Sequence, residues 1–308
     1  MSNTTCILCN SIETVAVEAL DTQLLSDLYK KRAGINVGHF FTQKQISLCQ
    51  CNNCHLLFYS PIILGDGKFY EDLQSYEGYY LEEKYDYVEA QKYISGADEV
   101  LEVGCGAGFF SNFIQPKSYI GLEFNDKAIQ LAREKGLEVK KQSLAEHALQ
   151  NAEKYDVVCF FQVLEHVDNP SLFLQDALKC LKKGGKLIFA VPAEDSFISQ
   201  QVNFYLNMPP HHVSRWKDSV FTKIAELFGI KKLQVVHEPL LAIHREFYHK
   251  VKIYNYLRNT FKKPFRSLDN TFSFTILYTV ATILAKTKRL SSKNTSYQGQ
   301  SVIVVYEK

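Results

Sequence analysis

Between Asp98 and about Val191 the chain alternates short apolar runs with amphipathic stretches, and few folds accommodate that pattern. The runs DEVLEVG, SYIGLEF, YDVVCFFQ and GKLIFAVP are almost continuously hydrophobic, and GLEVKKQ, between the second and third of them, is a weaker member of the series. A strand apolar on both faces needs cover on both, the condition of a parallel sheet between helices. The intervening stretches carry helix-end signals. Asn125 or Asp126 can cap KAIQLAREK, and Gly136 can end it. Asp168 or Asn169 can cap SLFLQDALKCLKK, with Pro170 in its first turn and Gly184 just past its end. The alternation predicts a doubly wound α/β fold. After Pro192 an irregular segment containing NMPPHHVSRW leads to a helix, SVFTKIAELFG, and a strand, KKLQVVHEPL. A helical stretch follows, then the closing run SVIVVYEK. The last two strands are expected to complete a seven-stranded, mostly parallel sheet whose terminal strand runs antiparallel.

Among 308 residues the formal net charge is only +2, so there is no global electrostatic case for a nucleic-acid partner. The opening MSNTTCILC lacks the basic and apolar regions of a signal peptide, so a cytoplasmic protein is expected. Reducing conditions there make its eight cysteines metal ligands or core residues rather than disulfides. Cys6-x-x-Cys9 and Cys51-x-x-Cys54 form two knuckles about forty residues apart. Four thiolates on two knuckles can enclose a structural Zn²⁺ tetrahedrally, leaving no open position for catalysis. The alternative, a redox pair, lacks a thioredoxin-like βαβ context. Cys49 is expected on the opposite strand face and outside this group.

The turn after the first strand of a doubly wound sheet lies where ligands bind. Here it reads LEVGCGAGFF, with Gly104, Gly106 and Gly108 in alternation. A dinucleotide fingerprint would place its third glycine at Phe109. The spacing EVGCGAG instead resembles motif I of the class I S-adenosylmethionine (SAM) methyltransferases. FFQVLEHVDNP and KKGGKLIFAVP resemble the family's segments after the fourth strand and around the fifth. The resemblance spans roughly Glu99 to Pro192 plus the closing strand pair. It implies a Rossmann-like core in which Glu102, Gly104, Cys105, Gly106 and Gly108 approach SAM and Glu123 accepts the ribose hydroxyls. Phe124 and Asn125 would lie next to the adenosine, Leu144 would contact adenine, and Gln162 would face the cofactor. CNNCHLLFYSP followed by FYEDLQSYEGYY resembles the zinc-ribbon leader of certain bacterial methyltransferases, including sugar C-methyltransferases.

That resemblance divides the chain into a zinc-ribbon-like module with connector (1–75), a SAM-binding core (76–240) with an acceptor loop at 192–217, a helical insertion or lid (241–297) and a closing strand (298–308). It implies methyl transfer to a small molecule, a hydroxyl of a saccharide or saccharide-containing metabolite such as a nucleotide sugar or lipid-linked saccharide. An NAD-dependent sugar oxidoreductase is the alternative from another enzyme class, and Phe109 and VLEHV speak against it. A non-catalytic SAM- and zinc-binding module is the other.

Alkylation by a sulfonium needs alignment, and a hydroxyl acceptor gains from a positioned base, which contributes roughly 10²–10⁴-fold. Class I enzymes place acceptor-binding residues after the fifth strand, where two prolines present His211 and His212 and Trp216 is expected as an apolar wall. One of these histidines is expected to be the base or to orient the acceptor; a histidine bonded within the loop is the structural alternative. His166, beside Glu165, is the third candidate. Near the C-terminus TFSFTILYTVATILAKTKR carries Thr271, Thr275, Thr279 and Thr282 at helical spacing. Its apolar part is shorter than the ~20 residues of a membrane span. Lys262, Lys263 and Arg266 precede it, and Lys286, Lys288 and Arg289 follow. Three readings are open: a lid over the acceptor site, peripheral membrane contact through 271–289, or a homodimer interface.

Overall fold

The computed structural model describes residues 4–74, 84–287 and 298–308. The first elements are β1 (Thr14–Asp21), α1 (Thr22–Ala33), β2 (Gln45–Cys51) and β3 (Leu57–Ser60), the three strands pairing antiparallel in order. The two cysteine knuckles lie at one end of this sheet, before β1 and between β2 and β3. Two helices follow, α2 (Gly67–Gln74) and α3 (Tyr85–Ala90).

The expected alternation then unfolds as β4 (Glu99–Val103), β5 (Ser118–Leu122), α4 (Asp126–Glu134), β6 (Glu138–Lys140), α5 (Leu144–Gln150), β7 (Tyr155–Phe161), α6 (Pro170–Cys180) and β8 (Leu181–Pro192). Asn125 and Asn169 cap α4 and α6, accepting from the amides of Ala128 and Leu172. The helix expected to run to Gly184 stops at Cys180 instead. Leu181 is fully buried and pairs with Tyr155, while the Lys182 ammonium meets Glu99 and Asp156, both at 2.9 Å. Burying Leu181 on the sheet outweighs one further helical turn.

After β8 come the two-residue strand β9 (Ser214–Arg215), α7 (Asp218–Phe228), β10 (Lys231–Pro239), α8 (Arg245–Thr260), α9 (Phe272–Thr287) and β11 (Gln298–Glu307). The main sheet has seven strands in the order β10-β11-β8-β7-β4-β5-β6, and only β11 runs against the others. Successive residues of the central strands enter two different cores. Leu101, Val158 and Phe160 face one side; Val100, Val157, Cys159 and Phe161 face the other. That is the double cover the unbroken apolar runs require.

β9 lies inside the 192–217 loop, yet it pairs with β3 and becomes the fourth strand of the N-terminal sheet. Cys6, Leu8 and Phe58 share a core with Leu101 and Phe189. The division expected near residue 75 is therefore not a division in packing. Among the described residues no helix is long and apolar enough to cross a membrane.

Candidate active site

A cavity of about 850 Å³ opens at the C-terminal ends of β4, β5 and β7, the position where doubly wound sheets bind ligands. One end is made by the glycine turn. Gly104 has φ +70°, and a Cβ there would come within 2.7 Å of Val163, so only glycine lets the turn close against the segment after β7. Gly104, Cys105 and Gly106 line the cavity as expected. Gly108 does not: a Cβ built there would stand 2.3 Å from Leu137, so it serves packing.

Glu123, Phe124 and Asn125 line the same end. The Glu123 carboxylate accepts from the amide of Gly106 at 2.9 Å, Phe124 at 2.7 Å and Asn125 at 2.9 Å. It thereby ties the glycine turn to the turn after β5. These three bonds occupy most of the roughly four acceptor positions of a carboxylate, so a ribose offering two hydroxyls must displace at least one amide. Leu144 is placed otherwise than expected. It starts α5, is buried in the main core and does not line the cavity.

Glu102 is also buried rather than facing the cavity, held by the Tyr119 hydroxyl at 2.5 Å. Burial pushes its carboxyl up to about 8. A raised carboxyl leaves stability intact at low pH, where both states are protonated. Stability is lost as pH climbs from the unfolded value, 4.5, through about 8, because the unfolded chain ionises first. The Glu102→Gln variant is expected to escape this loss. Its stability relative to wild type should rise by a few kcal/mol, to order of magnitude, across that window. Denaturant unfolding at several pH values tests it; a difference that stays constant with pH contradicts the assignment.

The other end of the cavity gathers His166, His211, His212 and Glu165. The ring centroids of His211 and His212 lie 4.4 Å apart, and His166 stands edge-on to both at 4.6 and 4.8 Å. Each ring has its Nδ1 against an oxygen acceptor. His166 meets the His211 carbonyl at 2.6 Å, His211 the Leu206 carbonyl at 2.8 Å, and His212 the Asn207 side-chain oxygen at 3.1 Å. Nδ1 must therefore carry the proton, which leaves the Nε2 lone pairs of His166 and His212 on the side of Glu165. The Glu165 side chain is 1% exposed, and neither carboxylate oxygen has a hydrogen-bond partner among the described residues. Its Oε1 lies 3.9 Å from His166 Nε2 and 4.0 Å from His212 Nε2. Burial raises the Glu165 carboxyl to about 8 and lowers His166 to about 4 and His211 to about 3, each towards its neutral form.

Trp216, expected as the wall of this end, is fully buried in the main core and donates its indole N–H to Ser214. The cavity is walled instead by residues the sequence reading passed over: Gly67, Tyr70 and Glu71 of α2, Lys84, and Tyr87 of α3. FYEDLQ carried the available signal, an aromatic- and acid-rich run in which Phe69 and Leu73, four apart, enter the N-terminal core and Tyr70 and Glu71 line the cavity. Gln162 lines the cavity with φ +58°, its side chain donating to Asp86 and Ser301. No described residue of 241–287 lines the cavity, so α8 and α9 do not form its lid.

The cysteine knuckles converge as their spacing predicted. Cys6 and Cys54 sulfurs lie 3.5 Å apart, as do those of Cys9 and Cys51, and all four lie within 4.8 Å of one another. Zn–S bonds of about 2.3 Å would space the sulfurs at roughly 3.8 Å, so the set fits a closed tetrahedral ion. Asn10 and His55, each following the second cysteine of a knuckle, have φ 58° and 65° and turn the chain around the group. Cys49 packs in the same core as Cys51, not on the opposite face, and stays outside the set.

Residues 73–235 match the family model described as a methyltransferase domain. The chain is 31% identical over 180 residues to a ubiquinone biosynthesis O-methyltransferase of Salmonella arizonae, spanning 53% of this chain and 69% of the relative. The Klebsiella pneumoniae protein of the same name is 28% identical over the same shares. A SAM-dependent methyltransferase of Archaeoglobus fulgidus superposes with a TM-score of 0.48 at 19% identity, covering 79% of this chain and all of that one.

Proposed function

This chain belongs to the class I SAM-dependent methyltransferases, and we propose that it methylates a hydroxyl group of a small molecule. One observation carries the choice of hydroxyl. The Nε2 atoms of His166 and His212 stand 3.9 and 4.0 Å from the buried Glu165 at the cavity's end, and an unprotonated ring nitrogen there can accept a hydroxyl proton. In the reaction the hydroxyl loses its proton at this end of the cavity. Its oxygen then bonds to the methyl carbon as the C–S bond breaks, releasing S-adenosylhomocysteine.

SAM would lie between the glycine turn and Glu123, its ribose on that carboxylate and its adenosine beside Phe124 and Asn125. The acceptor we propose is a saccharide or saccharide-containing metabolite, several of whose hydroxyls could engage the acceptor cluster together. The printed names of the relatives support a second reading, a precursor of ubiquinone. A labelled-methyl assay against nucleotide sugars, lipid-linked glycans and ubiquinone precursors decides between them. His166→Ala, His211→Ala and His212→Ala are each expected to slow transfer by roughly 10²-fold or more. Turnover within twofold of wild type in all three would remove the cluster from the chemistry. Zn²⁺ on Cys6, Cys9, Cys51 and Cys54 would be structural, bracing the sheet on which the histidine loop rests.

A membrane surface is the partner we propose for α9. Phe272, Ile276, Val280, Ile283 and Leu284 are exposed along one face, Phe272 by 81% and Ile283 by 61%. Thr275 and Thr279 on that face turn their hydroxyls back to helix carbonyls. Residues 241–287 hold eight basic side chains against two acidic ones, the charge an anionic lipid surface attracts. Lys288 and Arg289 lie outside the described residues. Co-sedimentation with anionic vesicles is expected for wild type and lost in Ile276→Glu/Ile283→Glu; wild type remaining in the supernatant contradicts the proposal.

A further inference from the structure

We propose that His166, His211, His212 and Glu165 form a binding site for a divalent transition-metal ion, distinct from the cysteine cluster. The inference rests on the proposed function only in placing the acceptor hydroxyl at this end of the cavity. One ligand atom from each of the three histidines lies within 4.8 Å of the others. Each ring spends its Nδ1 proton on an oxygen acceptor, two backbone carbonyls and one side-chain amide. That arrangement fixes the tautomer a metal ligand needs and aligns the ring. The carboxylate that would complete the set is buried and has no donor of its own among the described residues.

A cation that takes the buried Glu165 carboxylate as a ligand displaces its proton to solvent and pairs the charge that burial disfavours. With bonds of about 2.1 Å, neighbouring ligands around one ion stand roughly 3.0–3.4 Å apart. The present Glu165–histidine separations of 3.9 and 4.0 Å therefore need only a small inward turn of the side chains. Three imidazoles and one carboxylate suit zinc, iron, nickel or cobalt better than magnesium or calcium. The residues line the cavity, so a coordination position faces the space assigned to the acceptor. An ion there would make the acceptor hydroxyl more acidic. It would take the place of a side-chain base, and the released proton would pass to solvent.

The test is a Co²⁺ titration of the full chain as purified, read by visible absorption and by metal analysis after dialysis. Binding at the cysteine cluster announces itself by sulfur-to-cobalt charge transfer. The histidine site should take a further equivalent per chain whose spectrum lacks that band. Glu165→Gln and His212→Ala are expected to weaken this equivalent on the order of 100-fold, with S-adenosylhomocysteine binding and the sulfur band unchanged as evidence of an intact fold. The proposal is overturned if wild type takes up cobalt only with the sulfur band. It is also overturned if the sulfur-free equivalent persists undiminished in His166→Ala/His212→Ala. Methyl transfer is read separately. A chain that binds the second ion but methylates no hydroxyl compound contradicts the function and not the site. One that methylates at full rate without a second ion contradicts the site and not the function.

Discussion

Exchange of Glu123 for Gln is expected to weaken S-adenosylhomocysteine binding on the order of 100-fold, about 2.7 kcal/mol. The carboxylate joins two turns. Its Oε2 accepts from Gly106 in the glycine turn, and its Oε1 from Phe124 and Asn125 in the turn after β5. Bonds from neutral donors to a charged acceptor are worth roughly 1.5–3 kcal/mol each. The amide of a glutamine can satisfy one turn but presents N–H groups to the other, so donor faces donor at Gly106 or at Phe124 and Asn125. The ribose hydroxyls lose the charged acceptor as well. Because Glu123 lies at the cavity surface, the fold should survive, and the melting temperature without ligand should move little compared with affinity. Calorimetric titration measures the effect; binding within threefold of wild type would place the ribose elsewhere.

The second large effect is expected from Cys51→Ser/Cys54→Ser. If the four sulfurs hold the proposed zinc, its loss removes folding free energy outright, and a fall in melting temperature on the order of 10 °C is expected. The functional consequence follows from where the knuckles sit. Cys51 ends β2 and Cys54 lies in the turn that leads into β3, whose Tyr59 amide donates to the Val213 carbonyl at 2.9 Å. The Val213 amide in turn donates to the Glu165 carbonyl at 2.9 Å. The Tyr59 hydroxyl and Arg215 both hold the Asn207 carbonyl, next to the side chain that orients His212. Loosening β3 therefore loosens the histidine loop, whereas the glycine turn and Glu123 belong to the main sheet. Turnover should drop more than tenfold while S-adenosylhomocysteine affinity stays within threefold. Equal losses in both, or in neither, would mean that the knuckles do not brace this loop.

The parallel sheet was legible because each strand is apolar on both faces, a local property of five or so residues. The helix caps were legible to within one residue for a similar reason, since a cap is a bond across three residues, and the structure chose Asn125 over Asp126 and Asn169 over Asp168. The cysteine set could be read from spacing, because two knuckles have little else to do in one short region. Errors arose where distant segments compete for the same space. Gly108 looked like a ligand contact because its glycine character is visible, while the Leu137 side chain that requires it is not. Trp216 was expected as a wall of the acceptor end and Leu144 beside adenine, and both are drawn into the core. The end of α6 was misjudged because the register of β8 with β7 decides the fate of Leu181.

By itself, then, the order of residues determined the layering of strand and helix, the glycine turn with Glu123 beyond it, and the four sulfur ligands, all set by short-range periodicity, capping and spacing. Only the tertiary structure decided that β9 joins the N-terminal sheet, that α2 walls the cavity, and that His166 meets His211 and His212 beside a buried Glu165. Those contacts join segments from about 45 to about 160 residues apart, and no local pattern encodes which of many buried surfaces will pair.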